Sequence, residues 1–267
     1  MERRYWDLVL DFESVADNLR ESFRVLAESR NEGEVRELRG VSIASANVTF
    51  QMFNAAFLAG PVVSETDLEQ RILLASAHFG QRGRQWAYWV CEDWLAERAR
   101  KRALRLFERH GLRHSVNLPG MLAERLLPPV KPPARLDIRR VENGPEREAF
   151  CAIGSVCFNV PLPWFSEVFE GKPVWNRFVA YVGYSGGEPV TSAAVVIGAG
   201  AAGVYNVATV PGKQRHGFGE TVMRHALEEV RREYGIERTI LQSTSAGYHL
   251  YERMGYRTVT RVAVYSS

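Results

Sequence analysis

The stretch "VATVPGKQRHGFGETVMRHAL" (Val207–Leu227) decides the fold. It begins as a strand-like run, breaks at Pro211, passes through Gly212, Gly217 and Gly219, and then changes to the helical period of about 3.6 residues. Val222, Ala226, Val230 and Tyr234, with Met223 and Leu227 beside them, make one apolar face of a helix that stops at Gly235. A glycine-bearing turn feeding straight into a helix exposes several backbone N–H groups and the positive end of the helix dipole, a site for phosphate oxygens. Glycine lets the backbone approach an anion closely, and Lys213 and Arg215 add charge at the rim. No Gly-Lys-Ser/Thr follows and a third glycine is missing, which excludes a P-loop and a dinucleotide-binding fingerprint.

Upstream of this stretch, "ARLDIRRVEN" and "RFVAYVGYSG" alternate apolar and polar residues as half-buried strands do. "EPVTSAAVVIGAG" follows a Gly-Gly turn and completes a hairpin, and "AGVYNVATV" supplies the strand that enters the loop. Beyond the helix, "RTILQST" reads as a buried strand, "AGYHLYERMG" as a short helix ending at Gly255, and "YRTVTRVAVYSS" as a final strand or pair. The class is α/β, with a mixed sheet.

The first half repeats this order imperfectly. "MFNAAFLAGP" (Met52–Pro61) matches "VYNVATVP" (Val204–Pro211), Glu65-Thr66 matches Glu220-Thr221 at a helix start, and "RLFERHGL" (Arg105–Leu112) matches "HLYERMGY" (His249–Tyr256). Between the copies lies "LLPPVKPPARLD", whose prolines cannot continue a helix and favour a stiff connector. The expected division is residues 1–127, a connector at 128–135, and residues 136–267. The opening segment, Tyr5 to Ala27, carries Trp6, Leu10, Leu19, Phe23 and Leu26 at helical spacing and is expected to pack rather than react.

The pattern Gln/Arg-x-x-Gly-x-Gly/Ala, here Gln214 to Gly219, resembles the acetyl-CoA loop of the Gcn5-related N-acetyltransferase (GNAT) family. The later Leu250-Tyr251-Glu252-Arg253-Met254-Gly255-Tyr256 resembles that family's second motif. The resemblance covers roughly residues 135–267. It implies a GNAT fold in the C-terminal half, with acetyl-CoA as co-substrate and an amine on a small molecule or peptide as acceptor. By the same resemblance Gln214, Arg215, His216, Gly217, Phe218, Gly219 and Glu220 would hold the pyrophosphate. Val207, Ala208 and Thr209 would pair with the pantetheine arm, Thr244 and Tyr248 would flank the cofactor, and Tyr251 would protonate the departing thiolate. Relatives often carry Asn where Thr244 stands; Thr244 and Ser245 can each cap a helix, so the cap is expected to survive.

Asn206 reads two ways, as a group that orients substrate or water or as a partner for buried backbone. Trp164, Phe165, Glu167, Glu170 and Trp175 lie in the region that usually walls the acceptor site in the family. The first half spends eleven positions between Asn54 and Glu65 where the second spends fourteen between Asn206 and Glu220, and "GPVVSET" has no Gly-x-Gly. With Phe107 at the position of Tyr251, the N-terminal half reads as a degenerate GNAT-like domain without a cofactor site; tandem arrangements of this kind occur in the family.

The remaining features are bland. At 46% hydrophobic and 24% charged residues, with a net charge of +3, the 267-residue chain has the composition of a globular protein. No apolar run has the length of a membrane span, and the amino terminus is not read as a signal peptide, so a cytoplasmic protein, monomer or homodimer, is expected. Cys91, Cys151 and Cys157 show no metal spacing and read as buried thiols, with no metal expected. The basic run "ERARKRALRLFERHG" is expected to pack Leu104 and Phe107 and solvate its other face rather than bind nucleic acid, and Trp86, Trp89 and Trp94 to be core. A non-catalytic CoA-sensing or interaction module is the alternative to an N-acyltransferase.

Overall fold

The alternation of strand and helix periods builds one mixed sheet of eleven strands in the computed structural model, which describes residues 10–142 and 144–267. In the first half the order is α1 (Asp11–Glu28), β1 (Glu34–Leu38), β2 (Val41–Ser45), β3 (Asn54–Leu58), α2 (Glu65–Gly80), β4 (Ala87–Cys91), α3 (Glu97–Arg109) and β5 (Arg113–Ala123). In the second it is β6 (Asp137–Arg140), α4 (Gly144–Phe158), α5 (Leu162–Val168), β7 (Phe178–Ser185), β8 (Glu188–Gly198), β9 (Ala201–Thr209), α6 (Phe218–Tyr234), β10 (Thr239–Gln242), α7 (Tyr248–Met254) and β11 (Arg257–Ser266). Trp6 lies outside the described residues, and the carboxy-terminal segment is one strand rather than a pair.

The strand order is β1-β2-β3-β4-β11-β5-β10-β9-β8-β7-β6. The last strand of each half therefore sits on the far side of its counterpart: β5 pairs antiparallel with β10, and β11 pairs antiparallel with β4 as well as with β5. The halves are joined by backbone hydrogen bonds through the middle of the sheet. The proline-rich segment is pinned as well. Leu127 N–H donates to the Met254 carbonyl at 2.9 Å, Arg224 donates to the Leu127 carbonyl at 2.8 Å, and Ala134 N–H donates to Thr221 Oγ1 at 2.9 Å. We propose 128–135 as the connector between the two halves.

Helices cover both faces. On one, α2 and α3 pack Leu68, Ile72, Ala99 and Phe107 onto Val41, Ile43 and Tyr88, while α6 and α7 pack Val222, Met223, Tyr251 and Met254 onto Val204 and Leu241. The buried stripe of α3 is Ala99, Ala103, Leu106 and Phe107; Leu104, expected to pack, is 48% exposed because it falls outside that stripe. Trp86 is core, whereas Trp89 and Trp94 are half-buried. Cys91 and Cys151 are buried, which pushes each thiol up to about 11, and Cys157 is only half-buried. No helix among the described residues is long and apolar enough to cross a membrane, and none of their His, Cys, Asp and Glu side chains gather in the groups of three that would hold a metal ion.

On the other face α1 crosses the junction. Leu19 and Phe23 pack with β2, β3 and β11 residues of both halves, and Val15 packs on Leu122, Ala201 and Ile240. Each such burial contributes roughly 1.5–3 kcal/mol. Asn18, fully buried at 0% exposure, turns its Nδ2 to the carbonyl oxygens of Val196, Gly198 and Ala201 at 3.2, 2.9 and 3.0 Å, and its Oδ1 accepts from the Tyr205 hydroxyl at 2.7 Å. Gly203 makes room for this, since a Cβ there would lie 1.8 Å from Asn18 Oδ1. Replacing Asn18 by Leu removes the partner of all four groups and leaves the buried Val196 and Ala201 carbonyls without one, so Asn18→Leu should lower the unfolding free energy by about 3 kcal/mol. Urea denaturation followed by circular dichroism measures this, and an unchanged midpoint would contradict it.

Candidate functional site

The site begins where β9 stops being an ordinary strand. Ala194 pairs with Tyr205, but Ser192 pairs with Ala208, so β9 spends one residue more than β8. The extra residue is absorbed at Asn206, whose φ of 50° is in the left-handed region that Asn tolerates better than most side chains. The Ser192 hydroxyl donates to the Asn206 carbonyl at 3.1 Å and holds the bulge.

On its other side β9 pairs in parallel with β10 only through Ala202, Gly203 and Val204. Beyond Val204 the two strands fork: β10 ends at Gln242, and Ser243 N–H is drawn to the Pro119 carbonyl of the first half's chain at 2.8 Å. The β10 side of Asn206, Val207, Ala208 and Thr209 thus has no strand partner. An extended ligand can complete that edge as an added strand.

The fork leads to the glycine turn. Gly212, Arg215 and Gly217 all have positive φ, 81°, 64° and 80°, which reverses the chain tightly into α6. Gly217 is the N-cap of α6 and offers no side chain to accept hydrogen bonds. The first helical bond is Thr221 N–H to the Gly217 carbonyl, so the N–H groups of Phe218, Gly219 and Glu220 precede the ladder and have no helical acceptor. The His216 ring stacks on Phe218 at 5.6 Å, and its Nδ1 donates toward the Gln214 and Lys213 carbonyls at 2.8 and 3.2 Å. Gln214 Nε2 donates to the Thr209 carbonyl at 3.3 Å, joining loop to strand. Glu220 pairs with Arg224 at 2.8 Å, so its charge is compensated.

Tyr251, 8% exposed, belongs to the apolar cluster of Val204 and Leu241, the last pair before the fork, with Val207 packed against it. Burial pushes its hydroxyl up to about 12, so it keeps its proton at neutral pH. Gly247, one turn earlier, leaves room for the ring, since a Cβ there would lie 2.7 Å from Tyr251 Cε2. Tyr248 is half-buried with its hydroxyl 3.2 Å from Thr258 Oγ1. The expected hydroxyl cap is absent. The N-cap of α7 is Gly247, and Thr244 serves through its carbonyl, which accepts from the Gly247 and Tyr248 N–H groups, because a turn intervenes before the helix begins.

The first half lacks each of these features. Past Asn54, Ala55–Phe57 are paired with Ala87–Trp89, and pairing resumes where Val62 donates to the Trp94 carbonyl at 2.7 Å and accepts from Ala96 N–H at 2.9 Å. The slot is filled by the chain's own backbone. At the start of α2, Ser64 Oγ accepts from Asp67 N–H at 3.1 Å, and Glu65 and Asp67 place carboxylates at the positive helix end where an anion would sit. Phe107 is fully buried and stacks on Tyr265 with ring centroids 4.0 Å apart.

Of the residues expected to wall an acceptor site, Trp164 is 43% exposed, but Phe165 is a core side chain at 2%, filling the space over Gly154. Trp175 is likewise buried. The Glu167 carboxylate accepts from Thr49 N–H at 2.9 Å, and Glu170 lies 3.8 Å from Arg30, so both acids lean on the first half. Sequence reasoning missed Asn18, Ser192 and Gln242 altogether. Each acts across distant segments, and no local spacing marks it.

The family signature described as "Acetyltransferase (GNAT) domain" matches residues 176–258, which contain the bulge, the fork, the glycine turn and Tyr251. No curated protein matches the chain. Among solved structures, a GCN5-related N-acetyltransferase from Kribbella flavida is similar at TM-score 0.71 and 19% identity, covering 94% of this chain and 95% of its own. An acetyltransferase of the GNAT family from Novosphingobium aromaticivorans aligns at TM-score 0.58 and 15% identity, covering 95% and 97%. A tandem GNAT protein from the clavulanic acid biosynthesis pathway aligns at TM-score 0.53 and 11% identity, covering 96% and 95%. At these identities the likeness is one of fold, and it extends over both halves.

Proposed function

We propose, from the match of residues 176–258 to an acetyltransferase (GNAT) domain, that the chain is an N-acyltransferase that moves an acetyl group from acetyl-CoA to an amine, with the chemistry confined to the second half. The observation that carries this reading is the fork: an unpartnered strand edge at Val207–Thr209 runs directly into three uncapped N–H groups at Phe218, Gly219 and Glu220. A pyrophosphate suits the N–H groups and the helix dipole, with Gln214, Arg215, His216 and Gly217 completing the turn. A pantetheine arm, which carries amides, suits the edge.

The reaction we propose is direct attack by the amine in a ternary complex. A backbone N–H on the free edge near Asn206 and Val207 stabilises the oxyanion without reorganisation. Tyr251, protonated and shielded from water, gives its proton to the departing thiolate. The first half, with its slot closed and its helix end occupied by Asp67, supports the sheet and binds no second cofactor. Isothermal titration should therefore give one acetyl-CoA per chain; two per chain would contradict the degenerate first half.

Gly217→Glu puts a side chain and a negative charge where φ is 80° and an anion would bind, and should abolish acetyl-CoA binding while the circular dichroism spectrum is kept. Unchanged affinity would remove the loop assignment. Tyr251→Phe should lower kcat about 100-fold with little change in acetyl-CoA affinity. Because burial raises the hydroxyl, the alkaline loss of this acid should fall near pH 12 rather than near 10. Binding of acetyl-CoA with no turnover across an amine panel would favour the CoA-sensing alternative.

A further inference from the structure

One polar group at the fork is left without a partner. Gln242, the last residue of β10, is paired through its backbone with Gly120 of β5, and on its other flank β9 has already departed. Ile240 packs toward α1 with Val15, and Leu241 packs toward α6 with Val204 and Tyr251. Side chains alternate along a strand, so Gln242 returns to the α1 face, the face on which Tyr205 meets Asn18. Its Nε2 is shut off from solvent and makes no hydrogen bond.

Three other polar groups of these segments have partners. The Tyr205 hydroxyl donates to Asn18, the Asn206 carbonyl accepts from Ser192, and the Ser243 hydroxyl donates to the Thr244 carbonyl at 2.8 Å. At the end of β4, where no slot forms, the corresponding terminal side chain, Cys91, is held by the Thr260 hydroxyl at 3.0 Å. A buried amide N–H without an acceptor is costly, and an oxygen of a bound ligand would satisfy it.

We propose that Gln242 is a ligand-binding residue whose Nε2–H donates to the thioester carbonyl oxygen of acetyl-CoA, a second donor opposite the backbone N–H of β9. The assignment rests on the acyltransferase reading above and follows from the geometry of the slot. The phosphate turn lies at its wide end, beyond Thr209, whereas Gln242 stands at the apex, where the acyl end of an extended ligand arrives. CoA itself ends in a thiol and offers no carbonyl there.

The test compares acetyl-CoA with CoA by isothermal titration against wild type, Gln242→Leu and Gln242→Glu; the latter keeps the shape and removes the donor. Both variants should bind acetyl-CoA about tenfold more weakly, the size of one lost hydrogen bond, and bind CoA as wild type does. Unchanged CoA affinity also reports that the slot is folded. Equal weakening for both ligands, or none for either, would overturn the role of Gln242 and leave the family reading intact. Wild-type protein that binds neither ligand would overturn both.

Discussion

A strand edge inside a protein must give its N–H and C=O groups to something, and the rest of this molecule is arranged around where β9 gives its own. Up to Val204 the partner is β10, and beyond it there is none. At the fork lies the Asn206 bulge, its carbonyl held by Ser192 and the preceding aromatic, Tyr205, anchored on Asn18. The same constraint resolved the other way explains the first half, where β3 stays paired with β4 and Val62 bonds to the segment around Leu95. There the backbone partners itself, so no extended ligand has an edge to join.

The two halves are therefore different solutions on one topology, and neither is dispensable to the sheet. The first half's β5 lies directly against β10, and its Pro119 carbonyl turns the chain away at Ser243. α1 spans the junction, with Asp11 paired to Arg238 and to Arg257 at one end and Arg177 paired to Glu28 and Glu21 toward the other. A half without a glycine turn of its own thus still shapes the apex of the fork in the other.

Several parts of this arrangement were legible in the chain. The Gln214–Gly219 turn, the α6 face with its stop at Gly235, the Gly-Gly hairpin and the Phe107–Tyr251 contrast all depend on residues within a few positions of one another. Others misled because one residue type fits two environments. Phe165 has the size of a binding-site wall and equally of a core plug, and the space over Gly154 decided for the core. Thr244 has the chemistry of a helix cap, yet a turn intervenes before α7 begins at Tyr248, and its carbonyl is used instead.

The local conformations, the repeated order of elements and the position of the glycine turn could be read from the chain alone, because periodicity, glycine and proline act over one or two turns of chain. No local pattern announces that the final strands sit on each other's side, that Asn18 holds a hairpin about 180 residues away, or that Gln242 is left unsatisfied at the fork. Those facts come from hydrogen bonds closed between distant segments. A backbone amide looks the same in every sequence until its partner is known.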